Sequence, residues 1–104
     1  MFALVVRFDL NDNAAAVEFD RLVAKTVEAI AALEPGTLVY ATHAVDGDPL
    51  ARIVYEVYAD REAFEEHERQ PHTRAFLDER KNYTRDVRVE FLSPAAAKGL
   101  PASR

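Results

Sequence analysis

The chain has no cysteine. Disulfides, thiolate zinc sites, cysteine-ligated iron–sulfur clusters and a cysteine nucleophile are thereby excluded. It also has no tryptophan, and its three glycines form no phosphate-cradling loop or dinucleotide fingerprint; a serine-centred elbow is likewise missing. Basic residues form no cluster: 13 lysines and arginines stand against 18 acidic residues, leaving a net charge of -5 spread along the chain. Nothing there would neutralise a nucleic-acid backbone. The opening stretch Met1–Leu10 is too short and too interrupted by charge for a signal peptide or membrane span. A cytoplasmic protein is expected, with neither nucleic acid nor membrane as partner.

A chain of 104 residues has one core. About 60 to 70% of the extended-chain surface is buried at this length, enough for one sheet under one layer of helices. A deep catalytic cavity is hard to enclose in so small a domain. That favours a small pocket, or one completed by a second subunit.

Phe2, Leu4, Val6, Phe8 and Leu10 alternate with Ala3, Val5, Arg7 and Asp9, the pattern of a half-buried strand. Asn11-Asp12-Asn13 supplies capping side chains for a helix over about Ala14 to Leu33, stopped by Pro35-Gly36. Thr37–Val45 and Leu50–Tyr58, joined by the turn sequence Asp46-Gly47-Asp48-Pro49, read as a hairpin. Asp60 caps a short helix carrying Phe64 and His67. Pro71 opens another with His72, Phe76, Arg80 and Tyr83 on one stripe, so the second helical region is broken near Gln70. Asp86–Leu92 alternates again, with Val87, Val89 and Phe91 on one face.

The order βαββαβ and the right-handed crossover rule predict an α+β ferredoxin-like sandwich with an antiparallel sheet over residues 1–93, and a flexible tail over 94–104. Both helical regions then cover one sheet face. The other face carries Val5 and either Tyr55 or Val54 beside Arg7 and Arg88, a mixed surface that suits a partner sheet better than water. A homodimer is therefore expected.

The run Tyr55-Glu56-Val57-Tyr58-Ala59-Asp60-Arg61-Glu62-Ala63-Phe64, followed by Glu66-His67 and Pro71-His72-Thr73-Arg74-Ala75-Phe76, resembles the antibiotic biosynthesis monooxygenase domain family. With Pro35-Gly36 and the charged hairpin loop, the resemblance extends to about Ser93. It implies a dimeric α+β barrel, in which two sheets face each other. It also implies oxidation of a small aromatic phenol or hydroquinone by O2, with the substrate supplying the electrons and no metal or flavin cofactor. The family also contains haem-degrading enzymes and an isomerase of signalling-sugar phosphates. Haem degradation is disfavoured, because Leu77 stands where those relatives carry the iron-ligating histidine and His67 about where they carry a haem-distorting tryptophan. Tyr58 and Thr73 stand where many relatives have tryptophan and phenylalanine.

His67 and His72 are the candidate catalytic residues, one of them accepting a phenol proton. Each also suits a local hydrogen-bonding or packing role. Their spacing crosses the helix break, so a metal pair is not expected. Tyr55, Phe64, Phe76, Arg80 and Tyr83 are the candidate substrate-binding residues, offering rings and polar ends. Strand parity places Tyr55 opposite Glu56 and Tyr58. Glu56 is expected to form an ion pair with Arg7, Arg52 or Arg88. Two other functions remain open: a non-catalytic ligand-binding or stress-response barrel, and an isomerase of a phosphorylated metabolite, for which Arg7, Arg52 or Arg80 would have to converge on one cavity.

Overall fold

The alternation of Phe2–Leu10 forms β1, and Asp12 caps the helix that follows, its Oδ1 accepting from the backbone N–H of Ala15 at 2.8 Å. In the computed structural model, which describes residues 1–100, the elements run β1 (Phe2–Leu10), α1 (Asn13–Leu33), β2 (Thr37–Val45), β3 (Asp48–Tyr58), α2 (Arg61–Arg69), α3 (Pro71–Glu79), a 3-10 turn (Arg80–Asn82) and β4 (Thr84–Leu92). The strands pair antiparallel in the order β2-β3-β1-β4. This is the ferredoxin-like α+β fold. None of the described helices is long and apolar enough to cross a membrane.

The hairpin turn is shorter than its sequence suggests. Gly47, at φ 79°, takes the left-handed conformation a tight turn needs, and β3 resumes at once with Asp48. Asp60 caps α2 through Ala63 as expected, and Pro71 starts α3, where a first-turn N–H would have no intrahelical acceptor and proline loses nothing by lacking one. Gln70 between them has extended backbone (ψ 140°), which breaks the helix. The stripe expected to continue from His72 to Tyr83 ends early. The chain tightens into the 3-10 turn at Arg80, so Tyr83 leaves the helix and its hydroxyl donates to Glu79 at 3.0 Å.

Leu4, Val6, Phe8 and Leu10 of β1, with Val54 and Tyr58 of β3, meet Phe19 and Val23 of α1 and Phe76 of α3 in the core. Phe19 packs its ring 5.0 Å from that of Phe8 and 5.9 Å from that of Phe76. The opposite sheet face carries Val5 beside Tyr55 and Glu90, and Arg7 beside Ile53 and Arg88. The like charges of Arg7 and Arg88 are offset locally: Arg7 binds Asp48 (2.8 Å) and Asp9 (3.2 Å), and Arg88 binds Glu90 (3.3 Å). Of the expected tail, residues 94–100 have no helix or strand and run beside Ala3, Tyr55 and Leu92, while residues 101–104 lie outside the described residues.

Gly36 is needed for close approach. A Cβ placed there would lie 2.7 Å from the Cβ of Ala63 in α2, inside van der Waals contact. The Gly36 carbonyl also accepts from the N–H of Ala59 at 2.9 Å, which holds the backbone in place. Gly36→Ala is expected to destabilise by about 1–3 kcal/mol in denaturant unfolding. Part of that loss should return in the double variant with Ala63→Gly, because the clash is then relieved.

Candidate functional site

Strand parity turns Glu56 of β3 and Tyr40 of β2, which pair directly, toward the helices. There they reach a cavity of about 240 Å³ between the sheet and the α2–α3 pair. Its walls are apolar: Leu4, Val6 and Phe8 from β1, Val87, Val89 and Phe91 from β4, Phe64 from α2, and Phe76 and Leu77 from α3. Tyr40, Glu56, His67, Glu68, Thr73 and Arg80 supply the polar groups. A shallower groove of about 460 Å³ between α1 and β2 holds the Asp20–Arg52 ion pair and His43. The convergence of buried titratable groups is in the smaller cavity, where chemistry is to be sought.

Glu56 is 6% exposed and accepts a hydrogen bond from the Tyr58 hydroxyl at 2.5 Å. Burial pushes its carboxyl from the usual 4.5 up to about 7. The Tyr58 hydrogen bond opposes that rise, and the negative charges of Glu68 and Glu34 add to it. The expected ion pair to an arginine is absent, since Arg7 is held by Asp9 and Asp48, Arg52 by Asp20 and Arg88 by Glu90. Glu56 points to the opposite sheet face from Arg7 and Arg88, which is why neither can reach it. Burial likewise raises the hydroxyls of Tyr40 and Tyr58 above the ordinary tyrosine range, helped in each case by the Glu56 charge.

His67 is 5% exposed and lies between two carboxylates. Its Nδ1 donates to Glu34 Oε1 at 2.7 Å, and its Nε2 lies 4.0 Å from Glu56 Oε1. Because an ionised carboxylate only accepts, Glu34 sets the tautomer with Nδ1 protonated and leaves Nε2 facing the cavity. Four ångströms is too long for a direct hydrogen bond, yet one oxygen atom fits at bonding distance from both groups. The Tyr58 and Tyr40 rings flank the imidazole at 5.3 and 5.6 Å.

Glu34 ends α1, where its backbone N–H bonds Ile30, and its carboxylate also accepts from Thr37 Oγ1 at 2.6 Å and from His72 Nε2. Burial pulls this carboxyl upward, but the hydrogen bonds of Thr37, His72 and His67 outweigh it and hold Glu34 below the usual range.

Of the seven candidates drawn from sequence, His67, Phe64, Phe76 and Arg80 line the cavity. His72 faces Glu34 and does not line it. Tyr55 sits on the opposite sheet face, and Tyr83 turns its hydroxyl to Glu79. Glu34 and Glu56 were missed as site residues. Both left a signal: Glu56 shares the inward parity of Val54 and Tyr58, and Glu34 puts a carboxylate at a helix C-terminus, where the dipole disfavours it.

The sequence model of the antibiotic biosynthesis monooxygenase family matches residues 1–79. No curated protein matches the chain. Among solved structures, a protein of Bacteroides thetaiotaomicron assigned to antibiotic biosynthesis monooxygenases is similar, with a TM-score of 0.86 at 22% identity over 98% of this chain and 95% of that one. A Caulobacter crescentus protein with the same assignment gives 0.85 at 22% identity over 91% and 90%. Rv0793 of Mycobacterium tuberculosis gives 0.83 at 23% identity over 92% and 96%. These structural likenesses bear on the fold, and the match over residues 1–79 bears on descent: the chain belongs to the antibiotic biosynthesis monooxygenase family.

Proposed function

We propose that the protein is a cofactor-independent monooxygenase that oxidises a small phenol or hydroquinone with O2. The observation that carries this reading is Glu56, a buried carboxyl raised to about 7 beside His67 at the polar end of an aromatic-walled cavity. A base near neutrality suits removal of a phenolic proton, and the resulting phenolate is a better electron donor to O2 than the phenol.

For a phenol with a free para position the balance closes without another reductant. Glu56 takes the hydroxyl proton, and the phenolate passes one electron to O2. The radical pair then joins at the para carbon as a peroxide. Loss of the ring proton at that carbon and cleavage of the O–O bond leave one oxygen as the quinone carbonyl and release the other as water. Substrate and O2 alone give quinone and water; a hydroquinone, whose para carbon carries a hydroxyl, reacts by the same steps at the free ortho carbon and gives a hydroxyquinone and water. In this reading His67 Nε2, 4.0 Å from Glu56, shares the substrate oxygen with it, and the bond from Nδ1 to Glu34 holds the ring in position. His72 acts through Glu34 as a positioning residue. The phosphate-isomerase alternative is left with Arg80 alone, since Arg7 and Arg52 are paired away from the cavity.

A homodimer through the open sheet face belongs to the same proposal. Val5, Ile53 and Tyr55 lie at its centre beside Arg7, Arg88 and Glu90, a surface mixed enough for a partner sheet.

Three outcomes are expected. Purified protein should take up O2 saturably with hydroquinones, catechols or anthrones, with kcat/KM rising through an acid limb near pH 7. Glu56→Gln should remove that limb and cut turnover by roughly 100-fold. Unchanged turnover would reject Glu56 as the base.

The second outcome concerns stability. Glu56 has a folded-state value near 7 against 4.5 for the free side chain, so it favours the folded state most below pH 4.5, and that contribution is lost as pH rises through 7. Glu56→Gln cannot ionise. Its melting temperature relative to wild type should therefore climb by roughly 10 °C or more between pH 5 and pH 8, since the full difference is on the order of 3 kcal/mol and each kcal/mol moves the midpoint of so small a domain by about 4–8 °C. A pH-independent difference would mean that Glu56 is not desolvated.

Third, light scattering should give a dimeric mass for wild type, and Ile53→Asp with Tyr55→Asp should give a folded monomer by circular dichroism. A dimer that survives both changes would place the interface elsewhere.

A further inference from the structure

We infer that the cavity takes an aromatic substrate bearing a carboxylate, which Arg80 holds, an inference that rests on reading this cavity as the substrate site. Among the described residues three arginines, Arg7, Arg52 and Arg80, are partly withdrawn from solvent. The first two are satisfied: Arg7 by Asp9 and Asp48, and Arg52 by both oxygens of Asp20, at 2.8 and 3.0 Å. Arg80 differs. Its Nε is buried without a hydrogen-bond partner, and its guanidinium forms no ion pair among the described residues.

The residue is otherwise well anchored. Its carbonyl accepts from the N–H of Tyr83 at 3.0 Å and from the Thr84 hydroxyl at 3.1 Å, so the start of the 3-10 turn is fixed and the side chain emerges from a held backbone onto the cavity wall. A guanidinium donor left unsatisfied among apolar side chains costs free energy that a nearby carboxylate would offset. Two such groups are close in sequence or space and neither serves: Glu79 receives the Tyr83 hydroxyl, and Glu68 lines the same cavity without pairing to Arg80. Breaks of a local rule of this kind concentrate at functional sites. The missing partner is supplied by the ligand.

The chemistry narrows the class. A guanidinium presents a planar fork that fits a carboxylate with two parallel hydrogen bonds. A phosphate monoester, near two negative charges, needs further cations. Among the described residues Arg80 is the one lysine or arginine on this cavity wall, and Glu56 and Glu68 share the wall and repel a second negative charge. Phe64, Phe76 and Phe8 provide ring contacts for an aromatic acid rather than an aliphatic one. A substrate carrying both groups would be anchored through its carboxylate while its hydroxyl meets Glu56 and His67, so binding far from the reacting carbon would orient the ring.

The test is calorimetric binding of 5-hydroxy-2-naphthoic acid, whose carbon para to the hydroxyl is free, its methyl ester and a naphthyl phosphate to the full chain in anaerobic, low-salt buffer. The acid should bind at least roughly tenfold tighter than the ester, the worth of a charge-assisted hydrogen bond. Arg80→Gln should remove that preference while leaving the ester unchanged, and Arg80→Lys should keep part of it. The wild-type preference should also shrink with added salt, which tests the charge even where Arg80→Gln does not fold. An ester that binds as tightly as the acid, a preference that survives Arg80→Gln, or no binding of the acid at millimolar concentration would overturn the assignment. Tighter binding of the phosphate than of the acid would overturn the carboxylate class. Because no oxygen is present, the outcome is independent of turnover: acid preference without O2 uptake would remove only the oxygenase reading, and uptake without acid preference only this one.

Discussion

Glu34 is a carboxylate at the end of a helix whose dipole opposes it, and it is buried. A negative charge in that position is tolerable only if donors surround it, and here the donors come from three other elements: Thr37 from β2, His67 from α2 and His72 from α3. The requirement that they converge on one carboxylate ties the end of α1 to the start of β2 and to both halves of the broken helix. A buried charge with partial satisfaction would cost more than an apolar side chain in its place. The cluster is therefore cooperative in the sense that each donor supports the position of the others.

That clamp has a consequence on the cavity side of His67. With Nδ1 committed to Glu34, the imidazole cannot rotate to present either nitrogen at will, and Nε2 is left facing Glu56. The two carboxylates stand on opposite sides of one ring and are pushed in opposite directions. Glu34 is held low by its donors, whereas Glu56, with Tyr58 as its hydrogen-bond donor, is driven up by burial. Groups of the same chemical type separated in this way can take different roles, one holding charge and the other exchanging a proton.

What could be read from the amino-acid sequence divides along the range of the interactions. Asp12 and Asp60 cap helices through residues three positions on, and the alternation of β1 reports its own parity, so element order, capping and the helix break near Gln70 were all legible. The hairpin turn and the 3-10 turn at Arg80 were less so, because hydrogen-bond register decides them. The site was legible only in part. Phe64 and His67 on one helix, and Phe76 and Arg80 on the stripe of the next, are legible as candidates from helical spacing, but which side of that stripe meets the sheet is set by packing and is not. Glu34 meets His67 across 33 positions and His72 across 38, contacts that no local pattern encodes. Glu56 was assigned to an arginine for want of knowing that Arg7, Arg52 and Arg88 each had a nearer carboxylate.

The broken helix explains how so small a domain opens a cavity at all. Breaking at Gln70 lets α2 set His67 against Glu34 and Glu56 while α3 turns away to pack Phe76 against Phe8 and Phe19. Between them the helix-side residues of the edge strand are left partly uncovered, with Val89 46% and Phe91 63% exposed. These two residues line the same cavity as Glu56 and Arg80, so the uncovered edge serves as its mouth. The sheet thus uses its faces differently: one carries a cavity beside a helix break, and the other is free of helices, with residues 94–100 running beside Ala3 and Tyr55.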